Sequence, residues 1–170
     1  ADYTPQGGNF TFLNGEVVKS FDIPINNDTL DENDETVNIT LTDPSPGVFL
    51  TPNASAVMTI IDNDAPPVIS IEDVSHEEGN LNVGQFSFRV SLSTASGLPV
   101  SVDYTTTQGT ATASSDYVTT AGTVNFAPGE TLKNILVVVF GDLTPELNET
   151  FTVDLSNPTN ATFGDNEALG

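Results

Sequence analysis

Moved along itself by 114 residues, this sequence superposes on its own later half. Asp2-Tyr3 meets Asp116-Tyr117, Gly8 meets Gly122, Phe12 meets Phe126, Gly15-Glu16 meets Gly129-Glu130 and Lys19 meets Lys133. Asp28, Glu32, Glu35 and Thr36 meet Asp142, Glu146, Glu149 and Thr150, while Leu41 and Pro44 meet Leu155 and Pro158. Further on the offset falls to 112, where Ala56 meets Ala168. A repeat of this period is domain-sized, so the chain must fold as two versions of one design rather than around a single core.

The design is a strand design. Phe86, Phe88, Val90 and Leu92 alternate with Ser87, Arg89 and Ser91; Phe151, Val153 and Leu155 alternate with Thr152 and Asp154; Val37, Ile39 and Leu41 do the same. Period-two alternation buries one face of a sheet. The apolar runs Ile135 to Phe140 and Val57 to Ile61 read as central strands. Gly, Pro, Asn and Asp punctuate the chain at intervals of about ten residues, as in β-sandwiches. No stretch has helical periodicity. The expected class is all-β, immunoglobulin-like antiparallel sandwiches in tandem.

The boundary falls at Asp62-Asn63-Asp64-Ala65-Pro66-Pro67, where two prolines stiffen a short connection. Residues 1–65 read as the C-terminal portion of a first module, with counterparts only to the later half of the second. Residues 66–170 read as a second module lacking most of its last strand. The start Ala1-Asp2-Tyr3, without an initiator Met, reads as a processed or excised piece.

The repeated form D-x-x-x-E-x-x-E-T sets three carboxylates within eight residues, at Asp28, Glu32 and Glu35 and again at Asp142, Glu146 and Glu149. Such groups repel one another unless a cation lies among them, and hard oxygen ligands on an irregular loop suit calcium. Charge supports this. Only Lys19, Arg89 and Lys133 oppose 24 acidic residues, for a net charge of −21. Three scattered bases form no phosphate-tracking surface, which disfavours nucleic acid and anionic membranes. With no cysteine there is no disulfide framework and no thiol chemistry. No apolar run is long enough to cross a membrane as a helix. Six Asn-x-Ser/Thr triplets, at Asn9, Asn27, Asn38, Asn53, Asn148 and Asn160, carry little weight in a chain so rich in these residues.

Several marks occur in a fixed order: Asp73-Val74-Ser75, Glu78-Gly79, Gly109-Thr110-Ala111, Ser115-Asp116-Tyr117, Gly122 to Phe126, Pro128-Gly129-Glu130, Asp142 to Phe151, Leu155-Ser156-Asn157-Pro158, and the acidic triplet Asp62-Asn63-Asp64. In this order and spacing the sequence resembles the Calx-beta family, calcium-binding immunoglobulin-like sandwiches of sodium–calcium exchangers, an integrin subunit and large surface adhesins. The resemblance implies calcium ligands at Glu78, Asp116, Asp142, Glu146 and Glu149 in the second module, aided by a backbone carbonyl near Thr144. In the first module it implies Asp2, Asp28, Glu32, Glu35, Asp62 and Asp64, with Asn63 where exchanger domains have a third Asp.

Other charged and polar residues read more plainly. Glu77 is expected in solvent, Glu72 and Asp73 as strand-edge charges, and Glu16 and Glu130 as exposed turn residues. Tyr3 and Tyr117 are expected to pack near a sandwich corner. The single histidine, His76, is expected at the surface. Without a nucleophile motif beside it, and with carboxylates on an open rim, enzymatic activity is not expected. The expected function is a non-catalytic, calcium-binding structural or adhesive repeat of an extracellular or cell-surface protein, calcium rigidifying the module junction. The alternative is a calcium-sensing regulatory domain of a membrane-attached protein; a carbohydrate-binding accessory domain lacks the Trp platform it would need. Expected partners are neighbouring repeats or other copies, joined head to tail into a filament.

Overall fold

The computed structural model describes residues 2–80 and 83–170. The chain divides into two compact units: Ala1–Thr29 with Asn33–Asn63, and Leu30–Glu32 with Asp64–Gly170. No helix occurs among the described residues.

The second unit is an immunoglobulin-like β-sandwich. Its strands are β3 (Val68–Ile71), β4 (Val83–Leu92), β5 (Val100–Gln108), β6 (Ala121–Phe126), β7 (Leu132–Phe140), β8 (Phe151–Thr159), β9 (Thr162–Asp165) and β10 (Glu167–Leu169). One sheet has the order β10-β8-β5-β6, the other β7-β4-β3-β9. The alternation seen in the sequence becomes two inward faces. Phe86, Phe88, Val90 and Leu92 of β4 share one core with Phe151, Val153 and Leu155 of β8 and with Val100, Val102, Val124 and Phe126 of the same sheet as β8. Around Phe151 the rings interlock: Tyr117 stacks on it at 4.5 Å and Phe88 meets it edge-on at 5.8 Å. Such pairs stabilise a core beyond their area alone.

The first unit is more open. Its two strands, β1 (Glu35–Thr40) and β2 (Ser55–Ile60), pair antiparallel, with Glu35 opposite Ile60 and Thr40 opposite Ser55. A two-stranded ribbon has little to bury against, and of its strand residues only Val37 is buried.

Both units repeat one turn. Gly15 and Gly129 take φ of 86° and 84°, a left-handed conformation that glycine adopts without Cβ strain. Glu16 accepts the Leu13 N–H at 2.8 Å and Glu130 the Ala127 N–H at 2.8 Å, each with a lysine at 2.7 Å. These glutamates, expected only as exposed turn residues, close the turn.

Two strand expectations need correction. Ile135 to Phe140 lies on β7, at the edge of its sheet, and Val57 to Ile61 falls mostly on β2, in a two-stranded ribbon. Within the run only alternate residues, Ile135, Val137 and Val139, are buried. Leu136 points outward, 51% exposed, and Tyr117 bridges to Val139 from the open side of the strand. Asp73 is also more than an edge charge, since its carboxylate accepts the Leu169 N–H at 2.8 Å and holds β10. Glu72 pairs with Arg89 at 3.6 Å across the outer face.

Candidate metal centre

Two loops of the second unit converge because their ends are stitched together. At one end the Phe140 N–H donates to the Asp116 carbonyl at 2.8 Å, and the Val118 N–H to the Val138 carbonyl at 2.9 Å. At the other the Ala111 N–H donates to the Thr150 carbonyl at 2.9 Å, and the Thr150 N–H to the Thr110 hydroxyl at 2.8 Å. The acidic loop from Gly141 to Thr150 is therefore tied at both ends to the segment 110–118. Phe151, immediately after it, is anchored in the core.

Asp116 ends a tight turn in which Ser114 adopts φ of 78°. Its carboxylate accepts the Thr112 N–H at 2.6 Å, and that bond is the main cause holding its pKa below the ordinary aspartate value. Oxygens from Asp116, Glu146 and Glu149 all lie within 4.8 Å of one another. Crowding raises the pKa of both glutamates. Glu149 is raised first by sharing a hydrogen bond with Asp116, then by desolvation and by the charges of Asp116, Glu146 and Glu78. Glu146 is raised by desolvation, then by the charges of Asp142, Asp116 and Glu78.

Of the five second-module residues expected as ligands, Asp116, Glu146 and Glu149 thus form one cluster. Glu78 and Asp142 stand close enough to act on it through charge. The Asp142 carboxylate accepts the Thr144 N–H at 2.6 Å within its own loop. A hollow of about 40 Å³, lined by His76, Glu78, Gly84, Phe86 and Val139 among others, has room for little more than water. His76 stacks on Phe86 at 6.1 Å.

The first-module residues are distributed differently. Asp2 and Asp28, in the first unit, bring carboxylate oxygens within 4.8 Å of each other. Glu35 opens β1 opposite Ile60, and Asp62 donates its N–H to the Asp34 carboxylate at 3.0 Å. Glu32 and Asp64 group with the second unit. Two neighbours escaped sequence reasoning. Asp34 binds the Asp62 backbone, and Asp31 is buried, its carbonyl accepting the Gly97 N–H at 3.1 Å. Their repeat counterparts are Asn148 and Pro145, so the internal alignment pointed away from both.

The donor set at Asp116, Glu146 and Glu149 fits a hard divalent cation. Every side-chain donor is oxygen, and a cation would relieve the repulsion that lifts the two glutamates. A two-sheet sandwich with such an acidic rim defines a β-sandwich module with a candidate metal site. The profile of the Calx-beta domain family matches residues 1–64 and 62–168, and the chain belongs to that family. It is similar to the adhesion G-protein coupled receptor V1 of Danio rerio, 31% identical over 172 residues; the match spans 99% of this chain and 3% of the receptor. Among solved structures it is similar to the apo-form Calx CBD1 domain, with 25% identity and a TM-score of 0.50 over 60% of this chain and 95% of that one. It also matches the calcium binding domain CBD12 of CALX1.1, with 27% identity and a TM-score of 0.48 over 80% and 53%.

Proposed function

We propose that this chain is a non-catalytic, calcium-binding structural repeat of a larger extracellular protein. The observation that carries the reading is the Asp116–Glu146–Glu149 cluster, oxygen-only and charge-crowded, on loops tied to a rigid core. Calcium there would be held by carboxylates from two separate loops and would fix the rim of the second unit in one conformation. Glu78 and Asp142 would add to the negative field that attracts it. Glu146 and Glu149 stand exposed on an open rim rather than in an enclosed pocket that would shield reacting groups from water, which supports a non-catalytic role. The extracellular, adhesive context is supported by the likeness to an adhesion receptor of which such a match is a small part.

The affinity expected for an extracellular module of this kind is on the order of 0.1–1 mM. Calorimetric titration of the decalcified chain tests it, with Glu146→Gln and Glu149→Gln as controls. Binding in that range, lost in both variants, is expected; no heat at any calcium concentration would refute the reading. Micromolar affinity with a large change in scattering profile would point instead to a calcium sensor.

A further inference from the structure

β7 is the edge of its sheet, and its open side is covered at one end only. The Phe140 N–H donates to the Asp116 carbonyl, and the Val138 carbonyl accepts the Val118 N–H. The even-numbered residues of β7 therefore turn their backbone groups to the open edge, and segment 116–118 satisfies them near Val138 and Phe140. From Leu132 to Leu136 no strand pairs with β7 on that side among the described residues. Such a row of backbone groups is a template for another strand.

The internal repeat shows that the character of this edge is not required by the fold. The first unit repeats the same stitching, with the Thr4 N–H on the Pro24 carbonyl at 2.9 Å and the Asn26 N–H on the Asp2 carbonyl at 2.8 Å. Residues 18–26 are thus the equivalent of β7. The inward row Ile135, Val137 and Val139 corresponds to Phe21, Ile23 and Ile25, apolar in both copies. On the outward row, Leu136, Val138 and Phe140 correspond to Asp22, Pro24 and Asn26. A charge and a proline are the usual guards of an edge strand against pairing. The second copy lacks both, and its Leu132 and Leu136 stand 46% and 51% exposed.

We propose that β7 pairs antiparallel with β7 of a second copy of this chain, about a twofold axis at Asn134. In that register Asn134 faces its own equivalent, and Leu132 faces the partner's Leu136. Residues two apart share a face and a backbone orientation, so all three positions form hydrogen-bonded pairs while leucine meets leucine on the outer face. The uncovered stretch, with a leucine at each end, is complementary to itself. Charge favours the same patch. At a net charge of −21, two copies repel each other over most of their surface. Yet β3, β4 and β7 contain no acidic residue and hold two of the three bases, Arg89 and Lys133, whereas the strands of the other sheet carry Asp103, Asp154 and Glu167. The pairing is isologous and closes as a side-by-side dimer. So short a ladder buries little area, which places the association in the transient class. It does not depend on calcium.

Sedimentation equilibrium of the full 170-residue chain in chelator, from about 10 μM to about 1 mM and at low and high salt, tests the pairing. The weight-average mass should rise toward double the monomer value. The rise should be larger at high salt, where screening relieves repulsion between the two acidic chains. Leu136→Asp, which copies Asp22, should abolish it. Asn125→Asp, which adds the same charge on β6, should leave it unchanged. Amide hydrogen exchange at Asn134 and Leu136 should slow several-fold at the highest concentration, with no change across β6. A chain that stays monomeric throughout overturns the proposal. So does a dimer that a folded Leu136→Asp variant leaves intact. Association that leaves the Asn134 and Leu136 amides unprotected places the contact on another face and overturns it as well. Should Leu136→Asp fail to fold, the exchange of those two amides in the unaltered chain decides alone.

Discussion

Gly141 is packed against Glu78: a Cβ at position 141 would stand 2.5 Å from the Glu78 backbone oxygen and closer still to that of Gly79. The first residue of the acidic loop therefore touches the turn that carries the outlying glutamate of the site. Backbone cannot yield as a side-chain tip can. Gly141→Ala should move the Glu78–Gly79 turn and destabilise the second unit by roughly 1–3 kcal/mol, the usual cost of overpacking. Calcium titration of this variant should show weaker binding, since Glu78 is displaced from the field it shares with Glu146. Unchanged stability and affinity would show that the two segments separate freely.

Removing charge from the cluster should have opposite effects with and without metal. In chelator, Glu149→Gln eliminates repulsion from Asp116 and Glu146, so the melting temperature should hold or rise. In calcium at about a hundred times the dissociation constant, the unaltered chain should gain about 2.7 kcal/mol, on the order of 10 °C. The variant should lose that gain. Calorimetric scans of both proteins in both buffers decide the matter.

Tyr117 is buried at 1% exposure and its hydroxyl has no partner among the described residues. Burial alone pushes the phenol pKa up. Removing an unsatisfied buried hydroxyl while keeping the ring on Phe151 should be neutral or stabilising, so Tyr117→Phe is expected to raise stability by about 0–1 kcal/mol. Phe151→Ala, which empties the centre of the same ring cluster, should cost about 3–5 kcal/mol. Denaturant unfolding of the two variants gives the contrast.

The pH dependence of the metal-free chain should have two limbs. Glu146 and Glu149 keep protons in the folded state to higher pH than in the unfolded chain. The folded state thus binds more protons just above the ordinary glutamate value, and stability falls as pH rises through that window. Asp116, Asp103, Glu16 and Glu130 are shifted down, Asp103 chiefly by the Thr123 hydroxyl. Their contribution is present above the ordinary carboxylate values and is lost as pH falls through the lowered ones. Unfolding midpoints in chelator should therefore peak in the ordinary carboxylate range and decline toward neutrality. Saturating calcium should remove the decline, because the cation takes the place of the proton.

Much of the fold was legible because alternation is local. Phe86 to Leu92 and Phe151 to Leu155 read correctly as half-buried strands, since side chains two apart share a face whatever the sheet order. Sheet position was not legible. The run Ile135 to Phe140 is apolar enough for a central strand, yet β7 lies at an edge, where Leu136 faces outward and Tyr117 bridges to Val139.

The sequence by itself determined that the chain is a duplicated strand design with an acidic loop in each copy, because repeats, alternation and charge are properties of residue order. It marked Asp116, Glu146 and Glu149, but nothing in their spacing places Asp116 beside residues thirty positions on. Tertiary structure did that, through the backbone bonds that tie the ends of the 141–150 loop to residues 110–118. It also decided that Asp142 turns to its own loop, that Asp34 holds the Asp62 backbone, and that Phe12 and Phe126 share a pattern but not a burial. Hydrogen-bond partners and covering strands are distant in sequence, so only the folded chain can assign them.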